Sequence, residues 1–335
     1  MRMLTGLLMV GLFSVAAVAG DKPWVQYDGF EGPGEGKHVV LVSGDEEYRS
    51  EEALPQLGKI LAKRHGFKCT VLFPIKDGKI NPNHQTNIPG LHHLETADLM
   101  VIFTRFRKLP DKQMKHIDAY LESGRPVVGM RTATHGFKFP GNSKWAHYSN
   151  GYNGPKKAWK GGFGRLVLGE KWITHHGAHK KEGARGVIDP KAKDHPIANG
   201  LKDALIYSPA DVYGVRLPLP GDSKPIIRGE VVKSMSPDAP AVEGGKNDPM
   251  MPVGWTKSYQ LPDGDKGRVF TTTMGTSKSL KYEGTRRMLV NACLWAMDMP
   301  VPEKADAGLV GDFEPTQFGF DSFQKGLTPD HFEMK

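Results

Sequence analysis

The sequence predicts an α/β fold built on a mostly parallel sheet with helices on both faces. Short apolar segments rich in β-branched residues alternate with longer segments whose apolar residues recur every three to four positions. This alternation is typical of βαβ units, which place parallel strands in one sheet covered on both sides. The length of 335 residues allows a large core, and the apolar fraction of 39% and charged fraction of 24% are those of a globular protein.

The first half of the chain contains the strands and helices on which this prediction depends. Strands are predicted at residues 37–43, 68–73, 98–104 and within 125–136. One helix carries Leu54, Leu57 and Leu61 on a single face and ends at Gly66. A second helix follows Pro110, carries Met114, Ile117 and Leu121, and ends at Gly124. The order strand, helix, strand, strand, helix, strand favours a parallel sheet.

The second half has less regular periodicity. Residues 137–165 lack a clean period, and we expect a long excursion above the edge of the sheet. Further strands are predicted at residues 166–174, 204–207, 224–231, 252–257 and 268–273, before a closing helix at 282–297. The phenylalanine-rich remainder is expected to pack on the domain as an irregular C-terminal arm.

The N-terminus has the features of a secretory signal peptide. Arg2 precedes an apolar run, 4–18, and Ala17-Val18-Ala19 fits a cleavage site near residue 19 or 20. The run is too short for stable membrane insertion, so we expect a periplasmic or secreted protein. The predicted organisation is a signal peptide at 1–20, a leader at 21–36, an α/β domain at 37–299 and the arm at 300–335.

Charge and cysteine content narrow the classes of partner. The net charge of +8 is spread along the chain, which fits either a solvated basic surface or weak attraction to anionic polymers and acidic glycans. Without a basic helix or interleaved aromatic motif, nucleic-acid binding is not expected. The two cysteines, Cys69 and Cys293, fall in a predicted strand and a predicted helix. Export permits a disulfide between them, but we expect two buried free thiols.

The candidate site residues follow predicted strands. Arg131, Thr132 and His135 come where the fourth strand ends, and open α/β sheets bind ligands at the carboxyl edge. Other candidate residues are expected to border the same crevice. They follow the first and third strands or come from the second half of the chain. They are Glu46, Glu47, Arg105, His176, His179, His195, Asp211 and Trp255.

A set of ordered motifs resembles a known family. The first, third and fourth strands are followed by Asp194-His195-Pro196-Ile197, Asp211-Val212-Tyr213, Trp255-Thr256-Lys257 and a last strand ending in Met274-Gly275. This order resembles ThuA-like (trehalose-utilisation-type) proteins of the class I glutamine amidotransferase-like superfamily, over roughly residues 37–300. The excursion and the arm are similar to those of exported variants. The resemblance implies a flavodoxin-like sheet. Where the family usually has Gly-His after the last strand, this chain has Gly275-Thr276.

The superfamily comparison also points to a change of chemistry. Its amidotransferases carry a nucleophilic cysteine on a tight turn after a strand similar to Pro126-Val127-Val128-Gly129-Met130, where this chain has Arg131. Arginine stays protonated and cannot attack a carbonyl carbon. No His-x-Glu completes a triad either, because His195 is followed by Pro196 and Ile197. The resemblance therefore predicts a protein without thiol-based amide hydrolysis.

The family association with disaccharide catabolism through 3-keto sugars implies an enolate mechanism. A ketone at C3 acidifies the C2 proton, so a base can form an enolate that expels the C1 oxygen. His135 is the candidate base, Arg131 the enolate stabiliser and Glu47 the acid for the leaving group. The alternative is a non-catalytic sugar-binding or accessory protein. The enzyme hypothesis predicts that Arg131, His135 and a carboxylate converge within hydrogen-bond reach of one pocket, whereas the binding-protein hypothesis predicts aromatic residues around a shallow groove and no convergent acid–base pair.

Each candidate residue also has a structural interpretation. Arg131 could form a buried ion pair, His135 could fill the turn, and Glu46 and Glu47 could favour a helix start. Trp255 could be a sugar platform or a core residue. The pattern His175-His176-x-x-His179 makes His176 and His179 the candidates for a metal, but a strand entering a turn explains it as well. We expect no cofactor and a carbohydrate or small-molecule substrate, and leave a homo-oligomer open.

Overall fold

The computed structural model describes residues 22–202 and 205–334. The signal peptide predicted at residues 1–20 lies outside this part of the chain. Across the two described ranges, no helix combines the length and the apolar composition that crossing a bilayer requires.

The described residues form fourteen strands and four α-helices, joined by loops and short 3-10 helices. The strands are β1 (Trp24–Tyr27), β2 (His38–Gly44), β3 (Lys68–Leu72), β4 (Ile75–Lys76), β5 (Lys79–Ile80), β6 (Leu99–Thr104), β7 (Val127–Met130), β8 (Thr174–His175), β9 (Gly183–Ile188), β10 (Tyr207–Ser208), β11 (Tyr213–Gly214), β12 (Lys224–Val232), β13 (Met251–Gln260) and β14 (Lys266–Thr272). The helices are α1 (Ser50–His65), α2 (Asp111–Glu122), α3 (Gly162–Leu166) and α4 (Glu283–Ala296).

The main sheet has ten strands in the order β1-β3-β2-β6-β7-β14-β13-β12-β9-β10. Its centre, from β3 through β2, β6 and β7 to β14, is parallel. The remaining strands pair antiparallel and extend the sheet on both sides. The α/β fold predicted from the sequence is thus confirmed, with the parallel strands confined to the middle of a mixed sheet. The carboxyl ends of these parallel strands share one edge, where ligands of open α/β sheets bind.

Both faces of the sheet are covered, as the alternation along β2 shows. Val39 and Leu41 belong to a core that contains α1 and α4 residues, whereas Val40 and Val42 belong to a second core that contains α2 residues. Successive side chains of a strand point to opposite faces, so a fully apolar strand requires apolar cover on both sides. The excursion at 137–165 packs on the α2 side, where the Trp145 Nε1 donates to Asp111 Oδ1 at 2.9 Å.

One predicted strand, residues 166–174, is wrong. In its place the chain runs from α3 through an irregular segment, and only Thr174 and His175 pair as a strand. The physical reason lies in the backbone: Gly169 has a left-handed φ of 99°. The carbonyl oxygen of Leu168 accepts from Trp255 Nε1 at 2.7 Å and from the Thr271 hydroxyl at 2.9 Å. The hydrogen bonds that a neighbouring strand would donate to this carbonyl therefore come from side chains of the sheet.

The two cysteines are both buried and free, as expected from the sequence.

Candidate functional site

Arg131 begins the turn that follows β7, with a left-handed φ of 46°. Non-glycine residues seldom adopt this conformation, which costs roughly 1–3 kcal/mol and concentrates at functional sites. Its Nη1 donates to the carbonyl oxygens of Asp211 and Thr273 at 2.7 Å each, and its Nη2 donates to Asp211 Oδ1 at 3.1 Å. The guanidinium carbon lies 4.4 Å from the ring centre of Tyr48 and 3.7 Å from that of Tyr213. Arg131 is buried, and its contacts fix Asp211 at the sheet edge.

Asp211 lies at the centre of a cluster of two histidines and two carboxylates. Its Oδ2 is 2.7 Å from His175 Nδ1, and its Oδ1 is 3.1 Å from His179 Nδ1. On its other side, His179 Nε2 is 3.0 Å from Glu47 Oε1. Pairing of β8 with β11 brings the histidine segment to Asp211, and Gly177 permits the close approach because a Cβ there would lie 3.2 Å from the Cβ of Asp211. We call His175, His179, Asp211 and Glu47 the histidine–carboxylate cluster.

The two carboxyl groups of the cluster differ in acidity. Burial opposes ionisation of Asp211, but the Arg131 guanidinium and hydrogen bonds from His175 and His179 outweigh it and lower the pKa of this carboxyl. Burial, followed by the negative charge of Asp45, raises the pKa of Glu47. Asp211 is therefore a permanent anion near neutral pH, whereas Glu47 is the carboxyl closer to accepting a proton. Carboxyl groups whose environments separate their pKa values in this way suit acid–base chemistry.

Glu46 and Arg105 pair with each other beside the cluster. Arg107 Nη2 donates to Glu46 Oε2 at 2.5 Å, and Arg105 Nη1 donates to Glu46 Oε1. Burial raises the pKa of Glu46, and the Arg107 charge opposes that shift. Arg105 retains partial exposure, and its guanidinium carbon lies 5.1 Å from the ring centre of Phe320 in the C-terminal arm. These ion pairs lie next to Glu47 in the chain, and of the two arginines only Arg105 keeps partial exposure.

His135 and Thr132 occupy the interior of the same edge. His135 is 4% exposed, with its ring packed 5.1 Å from Phe106 and 5.4 Å from Trp172. Burial, reinforced by nearby cationic groups, lowers the pKa of His135 well below its ordinary value, so the ring is neutral. The Thr132 hydroxyl donates to the carboxylate of Asp45. Both residues support the turn after β7 from within.

The C-terminal arm contributes to the site, and nothing in the sequence pattern indicated where it would lie. The ring of Phe318 stacks on Tyr48 at a centroid distance of 5.1 Å and lies 6.3 Å from the ring of His179. The Gly319 amide donates to the carbonyl oxygen of Glu47 at 2.8 Å. The arm thus packs on Tyr48 and on two members of the histidine–carboxylate cluster, Glu47 and His179.

Three of the predicted site residues lie elsewhere. His176 points away from the cluster, with its Nε2 2.8 Å from the carbonyl oxygen of Lys246. His195 caps a 3-10 helix through its Nδ1, and its ring lies 5.5 Å from that of Trp295. Trp255 is fully buried and has no exposed face for a sugar. The structure therefore brings together Glu47, His179 and Asp211, which the sequence proposed, with His175, which it did not.

The residues missed at this site are His175, Tyr48 and Tyr213. His175 belongs to the His175-His176-x-x-His179 pattern, and alternation along a strand means that only one of the adjacent histidines can face Asp211. The pairing of Tyr213 with His175 across β11 and β8 fixes which one. Tyr48 belongs to no motif, and the Asp211-Val212-Tyr213 motif gave Tyr213 no role at the site, so only packing on Arg131 identifies the two tyrosines.

The fold and site define an α/β protein of flavodoxin-like class with an arginine on the turn after a central parallel strand. Comparison with family models then gives its family. The ThuA model, described as "Trehalose utilisation", matches residues 38–296, and the chain belongs to this family.

Solved structures of ThuA-like proteins resemble the chain at low sequence identity. One from Parabacteroides merdae shares 15% identity with a TM-score of 0.48, covering 85% of this chain and 97% of its own. Another, from Bacteroides uniformis, shares 16% identity with a TM-score of 0.48, and the match covers 80% of this chain and 93% of that one. A comparison with curated proteins returned no match. Family membership therefore rests on the family model.

Proposed function

We propose that this chain is an exported enzyme that acts on carbohydrates, with oxidised or 3-keto glycosides as its substrates. One observation carries the proposal: Glu47, His179, Asp211 and His175 converge in a line of contacts at the carboxyl edge of the sheet. Side chains of His175 and His179 are 38% and 26% exposed, so a ligand can reach the imidazoles. The family description favours a sugar as that ligand.

The proposed reaction is proton abstraction next to a ketone. A base removes the C2 proton of a 3-keto glycoside, the electrons form an enolate, and the C1–O bond breaks. The leaving oxygen then takes up a proton, so one proton is removed and one is returned. The raised pKa of Glu47 and its contact with His179 suit the exchange of protons between these two side chains.

The structure changes the roles that the sequence suggested for two residues. His135 is buried among aromatic rings, and the Arg131 guanidinium is occupied by Asp211 and main-chain carbonyls. Neither side chain has a route to a substrate, so in this proposal both are positioning residues. His179, whose side chain is 26% exposed, exchanges the proton with the substrate, the buried Glu47 exchanges it with His179, and Arg105 is the accessible cation for an oxyanion. Arginine at position 131 also supports the absence of thiol-based amide hydrolysis.

Product analysis with purified mature protein tests the proposal. We expect cleavage of 3-keto-glucosides and no cleavage of the matched unoxidised glycosides, because only the ketone acidifies the C2 proton. Glu47→Gln should lower kcat by about 10²–10⁴. The matched control is Asp189→Asn, which removes a buried carboxylate paired with Arg228 outside the cluster and should leave kcat unchanged.

Two results would contradict the proposal. Equal cleavage of both substrate sets would exclude the enolate mechanism. If neither set is turned over while sugars raise the melting temperature, the chain is a sugar-binding protein and the catalytic assignment fails.

A further inference from the structure

The ligand atoms of three residues in the histidine–carboxylate cluster suit a metal ion. One ligand atom each from His175, His179 and Asp211 lies within 4.8 Å of the other two. Bound to one tetrahedral zinc at about 2.0–2.2 Å, such atoms are roughly 3.3–3.6 Å apart. A small movement of two partly exposed imidazoles would therefore close the site.

The protons of His179 give a second, independent argument. If its Nδ1–H donates to Asp211, a neutral ring presents the lone pair of Nε2 to Glu47 Oε1, 3.0 Å away. Two acceptors would then face each other. Glu47 Oε1 is buried and has no hydrogen-bond partner in the described part of the chain, since the contact with Nε2 lies outside hydrogen-bond geometry.

A cation at Nδ1 resolves this arrangement. The Nδ1 lone pair then binds the metal and the proton sits on Nε2, 3.0 Å from Glu47 Oε1, where a rotation of the ring would bring Nε2–H into line with that oxygen. Metal-binding histidines commonly donate their other N–H to a carboxylate, which sets the tautomer and the ring orientation. The competing explanation is a doubly protonated His179 between two carboxylates, without any metal.

We propose that His175, His179 and Asp211 bind one divalent transition-metal ion of the zinc class, with Glu47 orienting His179 from behind. Two imidazole nitrogens and one carboxylate oxygen suit Zn²⁺, Co²⁺ or Fe²⁺, whereas Ca²⁺ and Mg²⁺ prefer shells of oxygen ligands. Arg131 holds Asp211 in place, as its Nη2 donates to Oδ1 and leaves Oδ2 to His175.

Three protein ligands leave the metal a free coordination position. Asp211 is fully buried, whereas the two imidazoles are partly exposed, so the open position faces solvent. Sites with three protein ligands and one open position are typical of catalytic zinc. A role for the ion in turnover rests on the proposed function and changes one part of it: His179 would be a ligand instead of the proton carrier, and the ion would hold the ketone oxygen or a water that exchanges the proton. Binding of the ion does not rest on the proposed function.

Cobalt binding without substrate tests the site directly. Purified full-length protein is stripped with chelator and titrated with Co²⁺, followed by visible absorption, with Zn²⁺ as competitor. We expect one equivalent to bind, to be displaced by Zn²⁺, and not to be displaced by a large excess of Ca²⁺. His175→Gln and His179→Gln should each weaken binding at least 100-fold, and Glu47→Gln about 10–100-fold.

The adjacent histidine supplies the control. His176→Gln removes an imidazole one residue away that contacts Lys246 instead of Asp211, and it should bind Co²⁺ like the parent. Circular dichroism identifies any variant that fails to fold. If either His175→Gln or His179→Gln fails to fold, the Co²⁺ affinity of the other variant tests the site. Absence of saturable Co²⁺ binding, or an equal loss in His176→Gln, would overturn the site and favour the doubly protonated His179.

Failure of the site and failure of the proposed function are distinguishable. Protein that binds one Co²⁺ but cleaves no keto glycoside supports the site and contradicts the function. Protein that cleaves keto glycosides after chelation and binds no Co²⁺ contradicts the site and leaves the function standing.

Discussion

The buried neutral state of His135 predicts a specific loss of stability in acid. Its ring lies among Phe106, Trp172 and Tyr213, with the Thr134 hydroxyl 3.3 Å from Nδ1. Charged or titratable neighbours are Arg105, Arg131, His175 and Lys171, and they reinforce the effect of burial on the pKa. Replacing the ring by phenylalanine keeps the aromatic packing and removes the titrating group. The Thr134 hydroxyl still donates to the carbonyl oxygen of Arg131.

The sign and size of the effect follow from proton linkage. An unfolded histidine has a pKa of about 6.5, whereas burial lowers the pKa of folded His135 well below that value. Below about pH 6.5 the unfolded state therefore binds a proton that the folded state does not. The stability contributed by His135 is present above that pH and is lost as the pH falls toward the folded pKa. At about pH 5 the loss amounts to about 2 kcal/mol.

Urea unfolding at about pH 8 and about pH 5 measures this loss. The free energy of unfolding should fall by about 2 kcal/mol less in His135→Phe than in the parent. His331→Gln, at an exposed histidine, should lose as much as the parent. An equal loss in His135→Phe and the parent would refute the reasoning, since it would mean that His135 takes up its proton in the folded state.

Two further predictions concern residues that the sequence proposed for the site and the structure buries. Arg131→Met should cost roughly 3–5 kcal/mol in urea unfolding, because it leaves the buried Asp211 carboxylate without its cation; a cost below about 1 kcal/mol would contradict the ion pair. Trp255→Phe should cost about 1–3 kcal/mol, because the Leu168 carbonyl loses a donor. Keto sugars should raise the melting temperature of Trp255→Phe as much as that of the parent protein. Loss of this rise in the variant would mean that Trp255 contacts the sugar.

The parallel centre of the fold could be predicted because its strands are local patterns. Val39 to Val42 form an uninterrupted apolar run, and such a run between helical segments requires cover on both faces. The antiparallel half carried weaker signals. Leu168 sits in an apolar run of strand composition, yet its carbonyl bonds to Trp255 and Thr271, and those contacts come from residues about a hundred positions away. The composition of the segment around Leu168 therefore cannot predict these two contacts.

At the site, the sequence by itself determined the residue types and the edge on which they lie. Glu47 follows β2 and Arg131 follows β7, and parallel strands bring those two ends together whatever the details of packing. It also determined that position 131 carries a cation and not a thiol, and a guanidinium cannot act as a nucleophile.

Only the tertiary structure decided which histidines converge and what Arg131 does. Adjacent side chains of an extended segment face opposite sides, so choosing His175 over His176 requires the pairing of His175 with Tyr213 between β8 and β11. Burial of Arg131 between two tyrosines depends on side chains more than eighty positions apart in the sequence. Register and burial are set by packing over the whole chain, which is why they emerge from the fold and not from any motif.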